Sequence, residues 1–126
     1  MTAMFILYVQ DQERSRAFYE ALLGLPPKLH VPGMTEFALG ETASLGLMPE
    51  QGIRRLLGDA LPEPTSSAGA PRAELYLRVD DAAARHRRAV GLGARELSAP
   101  AARGWGDLVG YVLDLDGYVL AFGQAQ

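Results

Sequence analysis

The stretch Met4-Phe5-Ile6-Leu7-Tyr8-Val9-Gln10-Asp11 decides the fold, because the chain says it again as Glu74-Leu75-Tyr76-Leu77-Arg78-Val79-Asp80-Asp81. Each copy is a run of β-branched, aromatic and aliphatic residues that ends on an aspartate. Such a run reads as a strand, and the aspartate as the cap of a helix that follows. Each half then closes with a hairpin-like stretch, residues 36–48 and 107–124. A repeat this long inside one small chain points to two copies of one supersecondary unit.

Working outward from the first copy, Ser15, Phe18, Tyr19 and Leu22 fall at i, i+3, i+4 and i+7, one face of a helix. Gly24 ends it, and Pro26-Pro27 forbids its continuation. Residues 28–31, 35–39 and 43–48 read as short strands, separated by turns at Pro32-Gly33 and Gly40-Glu41. In the second copy, 73–79 is a strand and Asp81 caps a helix over 82–91, closed by Gly91 or Gly93. A strand near 94–98 leads into a loop through Pro100 and Gly104. Strands at 108–114 and 118–124 flank a tight Asp116-Gly117 turn. The order β-α-β-β-β, twice, predicts an α+β domain with helices on one face of the sheet. The domain is expected to span 1–126, with repeat one at 1–49, a connector at 50–72 and repeat two at 73–126. Within the connector, 51–57 reads as a short helix. The Pro62, Pro64, Gly69 and Pro71 stretch is breaker-rich, and a connector this long can cover a binding site.

Composition excludes several classes of function. At 126 residues, 48% of them hydrophobic, the chain is one ordinary globular domain. It has no cysteine, so disulfides, thiolate metal sites and cysteine nucleophiles are out. A net charge of −3 without a long basic block argues against nucleic acid. The apolar run Met4 to Val9 is too short for a membrane span or a signal peptide. A cytoplasmic location and no membrane partner are therefore the expectation.

Tyr8-Val9-x-Asp11, Ser15-x-x-Phe18-Tyr19 and Leu23-Gly24 resemble the opening of the vicinal oxygen chelate superfamily. That group contains glyoxalase I, extradiol dioxygenases, fosfomycin-resistance transferases and bleomycin-resistance proteins. In the second half, Val79-Asp80-Asp81, Gly93-Ala94, Trp105-Gly106 and Leu113-Asp114-Leu115-Asp116-Gly117 are similar to its closing motifs, with Leu115 in place of a proline. The resemblance implies two βαβββ units forming a cupped mixed sheet with helices outside, and a homodimer with two clefts. It also implies a metal position fed by the first and last strands of each repeat. The first strands align at an offset of 70 and the last at 75, which places those positions on Met4, Gly46, Glu74 and Ala121. Glycine and alanine bring no donor and a thioether is soft, so a hard or borderline divalent ion is poorly served. The expectation is no metal and no cofactor, as in the bleomycin-resistance branch.

Strand side chains alternate faces. If Met4 and Glu74 face the cup, so do Ile6, Tyr8, Tyr76 and Arg78, while Phe5, Leu7, Val9, Leu75, Leu77 and Val79 pack under the helices. A mixed face also suits a solvated sheet surface. Glu74 is a candidate general base or an anchor for a cationic ligand; the plainer alternative is an ion pair with Arg78 or Arg72. In the resembled branch, aromatics near Trp105 help form the ligand crevice; otherwise this residue packs at an interface or over the sheet edge. Tyr111 and Phe122 are further aromatics, Phe122 in the core. His30, at the end of the 28–31 strand, reads as an exposed loop histidine ahead of a catalytic one. His86 falls at the edge of the core-facing stripe of its helix, in an Arg85-His86-Arg87-Arg88 run that reads as a solvated face. Arg54, Arg55 and Arg72 read as anion contacts or as plain surface. Three functions stay open. The first is a metal-independent protein that sequesters a partly aromatic ligand against Ile6, Tyr8, Tyr76 and Trp105, with Glu74 and Arg78 as polar anchors. The second is a metal-free enzyme of lyase or isomerase type with Glu74 as its base. The third is a dimeric interaction module without a ligand.

Overall fold

The computed structural model describes residues 1–67, 70–71 and 73–126. The chain divides into two compact units, Met1–Ser67 and Ala68–Gln126. Among the described residues there are three α-helices and two four-stranded sheets, one sheet in each unit.

In the first unit, β1 (Ala3–Val9) leads into α1 (Gln12–Leu23), then β2 (Leu29–Val31), β3 (Met34–Ala38) and β4 (Ala43–Pro49). Asp11 caps α1, its carboxylate accepting the Arg14 N–H at 2.9 Å. Gly24 takes φ 72°, a left-handed conformation that glycine adopts without a Cβ clash, and its N–H closes on the Glu20 carbonyl. The buried face of α1 is Ser15, Phe18, Tyr19 and Leu22, the four residues that the sequence periodicity selects. The sheet order is β1-β4-β3-β2, with β1 parallel to β4 and the other neighbours antiparallel. Residues 50–67 fold as α2 (Glu50–Leu57) and two 3₁₀ turns, Gly58–Ala60 and Pro64–Ser67, all within this unit.

The second unit repeats the plan. It runs β5 (Glu74–Arg78), α3 (Ala82–Gly91), β6 (Arg95–Ala102), β7 (Asp107–Leu113) and β8 (Val119–Ala125), in the sheet order β5-β8-β7-β6. Asp81 caps α3 as Asp11 caps α1, accepting the Ala84 N–H at 2.9 Å. In the β7–β8 turn, Gly117 takes φ 88° and Asp114 Oδ1 accepts the Asp116 and Tyr118 N–H groups. The strand registers repeat as well. Ile6 lies opposite Gly46 and Tyr76 opposite Ala121, so the first strands differ by 70 residues and the last by 75.

Four expectations need correction. Phe5 does not pack under a helix but is 67% exposed, and Leu75, Leu77 and Val79 are only half-buried. The cause is geometric: β1 and β5 are edge strands, while α1 packs on β3 and β4 and α3 on β6, β7 and β8. Only Leu7 and Val9 of the predicted helix-side set are fully covered. The strand placed near 94–98 runs on to Ala102, because its pairing with β7 shifts register on either side of Ser98 and so accommodates Pro100 on an edge strand. His30 is not in a loop; it lies in β2. His86 is not at the margin of the α3 stripe but in its middle, 2% exposed between Ala82 and Ala89. Its Nε2 meets Glu96 at 2.7 Å, and Gly110 makes room for the ring: a Cβ there would lie 2.6 Å from Nδ1.

Candidate functional site

The second unit gathers three of the sequence-nominated residues around a fourth that the sequence did not nominate. Asp107, the first residue of β7, is 5% exposed. Tyr76 on β5 donates its phenol O–H to Asp107 Oδ2 at 2.6 Å. Arg78, two residues further along β5, places Nη1 at 3.2 and 3.4 Å from the two carboxylate oxygens. Its guanidinium stands 5.8 Å from the centroid of the Tyr76 ring. Trp105, in the loop before β7, donates its indole N–H to the Tyr76 oxygen at 3.2 Å.

The arrangement depends on one missing side chain. β8 lies between β5 and β7, and Tyr76 must cross it to reach Asp107. It crosses over Gly123, where a Cβ would sit 2.5 Å from Cε1 and 2.6 Å from Cζ of the ring. A glycine mid-strand otherwise weakens a sheet, and here it admits the close approach. Asp107 is nearly desolvated, so it needs its two partners: a buried carboxylate without them is costly. In accepting the phenol's hydrogen bond, Asp107 holds the Tyr76 hydroxyl above the usual phenol range, and partial burial adds to the effect. The result is a neutral, fixed phenol, a guanidinium fixed at one nitrogen, and an indole held at its N–H but 58% exposed. These are groups of the kind that can bind and orient a ligand.

Glu74 does not join this cluster. It is exposed at the opposite end of β5 from its proposed partner Arg78, which meets Asp107 instead. Arg72 lies outside the described residues. Tyr111 is half-buried and carries the Arg103 guanidinium 5.2 Å from its ring centroid, and Phe122 is fully buried. Ile6 and Tyr8 stand on β1 of the first unit. There, Met4 Sδ, Ile6 Cγ1 and Met34 Sδ close over Gly46, each 3.1–3.3 Å from where its Cβ would be. The first-unit positions that the resemblance assigns to a metal are thus an apolar surface with two soft sulfurs, which does not suit a hard or borderline ion. Among the described residues no group of three or more His, Asp or Glu is placed to hold a metal.

Elsewhere in the first unit, a shallow cavity of about 330 Å³ is lined by Asp11, Gln12, Glu13, His30, Val31 and Pro32. His30 there has both ring nitrogens engaged, Nδ1 with Thr35 Oγ1 at 2.8 Å and Nε2 with Glu13 at 3.3 Å. Gln12 ties the same hairpin to α1 through the Val31 carbonyl, Thr35 and the Gly33 N–H. The histidine therefore helps to fasten the hairpin to α1. Arg54 is likewise spent, on the carbonyls of Gly58 and Leu61 and on Asp59 and Glu63. No described helix is long and apolar enough to cross a membrane.

The fold is shared with solved structures of low sequence similarity. A glyoxalase-related enzyme from Fulvimarina pelagi is 24% identical, with a TM-score of 0.82 over 98% of this chain and 87% of that one. A glyoxalase/bleomycin resistance protein/dioxygenase family enzyme from Burkholderia phytofirmans is 17% identical, with a TM-score of 0.83 over 98% and 97%. A protein from Agrobacterium tumefaciens, solved by solution NMR, is 28% identical, with a TM-score of 0.70 over 100% and 99%. No curated protein matches the chain in sequence. Residues 2–122 match the family described as the Glyoxalase/Bleomycin resistance protein/Dioxygenase superfamily, and the chain belongs to that superfamily.

Proposed function

We propose that this chain is a metal-independent small-molecule-binding protein that sequesters a partly aromatic ligand, in the manner of the bleomycin-resistance branch. The observation that carries the reading is the convergence of Tyr76 and Arg78 on buried Asp107, with the Trp105 indole bonded in turn to the Tyr76 hydroxyl. Large aromatic groups with a few fixed polar ones are the usual make-up of a ligand site, and a tryptophan this exposed is a natural stacking surface. The second reading, an enzyme with Glu74 as base, has no such support, since Glu74 is exposed.

A thermal-shift screen of metabolites and natural products, run with and without a chelator, tests the proposal. A ligand at about 100 times its dissociation constant stabilises the folded state by roughly 2.7 kcal/mol. The expected hit contains an aromatic ring, survives the chelator and is lost in Trp105→Ala. A hit that needs a divalent ion, or one indifferent to Trp105→Ala, contradicts the reading.

A further inference from the structure

We infer that the ligand of this site is an aromatic oxyanion, a planar ring bearing a carboxylate or a phosphate. The inference rests on the binding role proposed above and adds the sign of the ligand's charge.

A guanidinium has five N–H donors in a rigid fork and stays protonated. Arg78 spends only Nη1, on Asp107; among the described residues Nε and Nη2 have no hydrogen-bond partner, and the side chain is 69% exposed. Nε and Nη2 share one edge of the guanidinium, the edge that grips an oxyanion with two parallel bonds. Anchoring through Nη1, with the Tyr76 ring alongside, holds that edge in place before a ligand arrives.

The carboxylate that balances Arg78 is out of a ligand's reach. Asp107 is 5% exposed, and its oxygens already accept from Tyr76 and Arg78. The formal charges of the pair cancel, yet the face presented to solvent is the cationic one. Glu74 is the other charged group of β5, and it would favour a cation instead. It lies four residues from Arg78 along β5, roughly 13 Å at the rise of a strand. That exceeds the screening length of about 8 Å at physiological salt, so an exposed carboxylate there acts weakly at the Arg78 end. Trp105, its N–H already given to Tyr76, offers its ring to the aromatic part of the ligand.

The test is calorimetric titration with four probes on one ring: 2-naphthoate, 2-naphthyl phosphate, 2-naphthamide and 2-naphthylmethylammonium. Both oxyanions should bind at least about tenfold more tightly than the amide, as charge-assisted bonds to a fixed fork allow. The ammonium should bind no better than the amide. Arg78→Gln should erase the oxyanion advantage, bringing both oxyanions down to the amide's affinity measured in the same variant, with the thermal melt showing the variant folded. Arg78→Lys keeps the charge without the fork, so it should retain more of the phosphate advantage than of the carboxylate advantage. Tightest binding by the ammonium, or an oxyanion preference that survives Arg78→Gln, overturns the inference. Equal binding by all four overturns it too, while leaving the binding role standing. No binding by any probe removes both.

Discussion

Gly123→Ala should damage this protein far more than the loss of a glycine usually does. The added methyl would lie 2.5–2.6 Å from ring atoms of Tyr76, so the ring has to leave its place. When it does, the Tyr76–Asp107 hydrogen bond goes, and the Trp105 N–H loses its acceptor. Forcing extra volume into a close-packed position costs about 1–3 kcal/mol. For a domain of this size, with a urea dependence near 2 kcal/mol per molar, a loss of about 2 kcal/mol moves the midpoint down by about 1 M. Gly52→Ala is the matched control. Gly52 lies inside α2, where a Cβ would make only ordinary contacts at 3.7 Å and beyond. There alanine should be neutral or stabilise by up to about 1 kcal/mol. Urea unfolding followed by the single tryptophan, Trp105, and by circular dichroism reads both variants. In a Tyr76→Ala background, Gly123→Ala should become nearly harmless, because the two residues are in contact and their effects couple. A Gly123→Ala midpoint within about 0.2 M of the parent, or an undiminished cost in the Tyr76→Ala background, would refute the crossing of Tyr76 over β8.

Four further outcomes follow from the same structure. Because Asp107 raises the Tyr76 phenol above its ordinary range, the unfolded chain loses that proton first. The stabilisation is intact below about pH 10 and is lost as pH rises through the folded-state value; stability-versus-pH curves of the parent should fall more steeply there than those of Asp107→Asn or Tyr76→Phe. At the acid end, the Ser44 hydroxyl and then Lys28 hold Glu36 below the usual carboxylate range. Its contribution is present above about pH 4.5 and lost as pH falls through the folded value, so Glu36→Gln should flatten the acid limb. Leu120→Ala, at a fully buried position of β8, should cost about 2–5 kcal/mol, whereas Leu77→Ala on half-covered β5 should cost under about 2 kcal/mol by urea titration. Phe5, 67% exposed on an edge strand, leads us to expect a twofold dimer; sedimentation at micromolar concentration should show it, with Phe5→Glu shifting the protein toward monomer.

Much of the fold was legible because its determinants are local. Asp11 and Asp81 announce their caps, Gly24 its left-handed turn, and the spacing of Ser15, Phe18, Tyr19 and Leu22 the buried face of α1. The offsets of 70 and 75 could be read because strand pairing repeats with the motif. Tyr76, Arg78 and Trp105 were legible as candidates from alternation along β5 and from the resemblance. Asp107 was not, because its meaning lies in contacts with residues about 30 positions away, made possible by a glycine on a third strand. An aspartate before an apolar run looks like any strand boundary. Gly123 between Phe122 and Gln124 carried a faint signal, since a glycine inside a strand marks a close approach, but it did not say of what. Phe5 was misread for a related reason. Alternation assigns a face, but which strands the helices cover depends on sheet order, and an edge strand can leave its apolar face bare.

The most direct test of the account is amide chemical-shift mapping of the ¹⁵N-labelled protein as 2-naphthoate is added. The largest shifts should fall on Tyr76, Leu77 and Arg78, on 103–108 and on Gly123, and they should vanish in Arg78→Gln. Shifts centred instead on the cavity around Asp11, Glu13 and His30, or spread evenly along the chain, would contradict it.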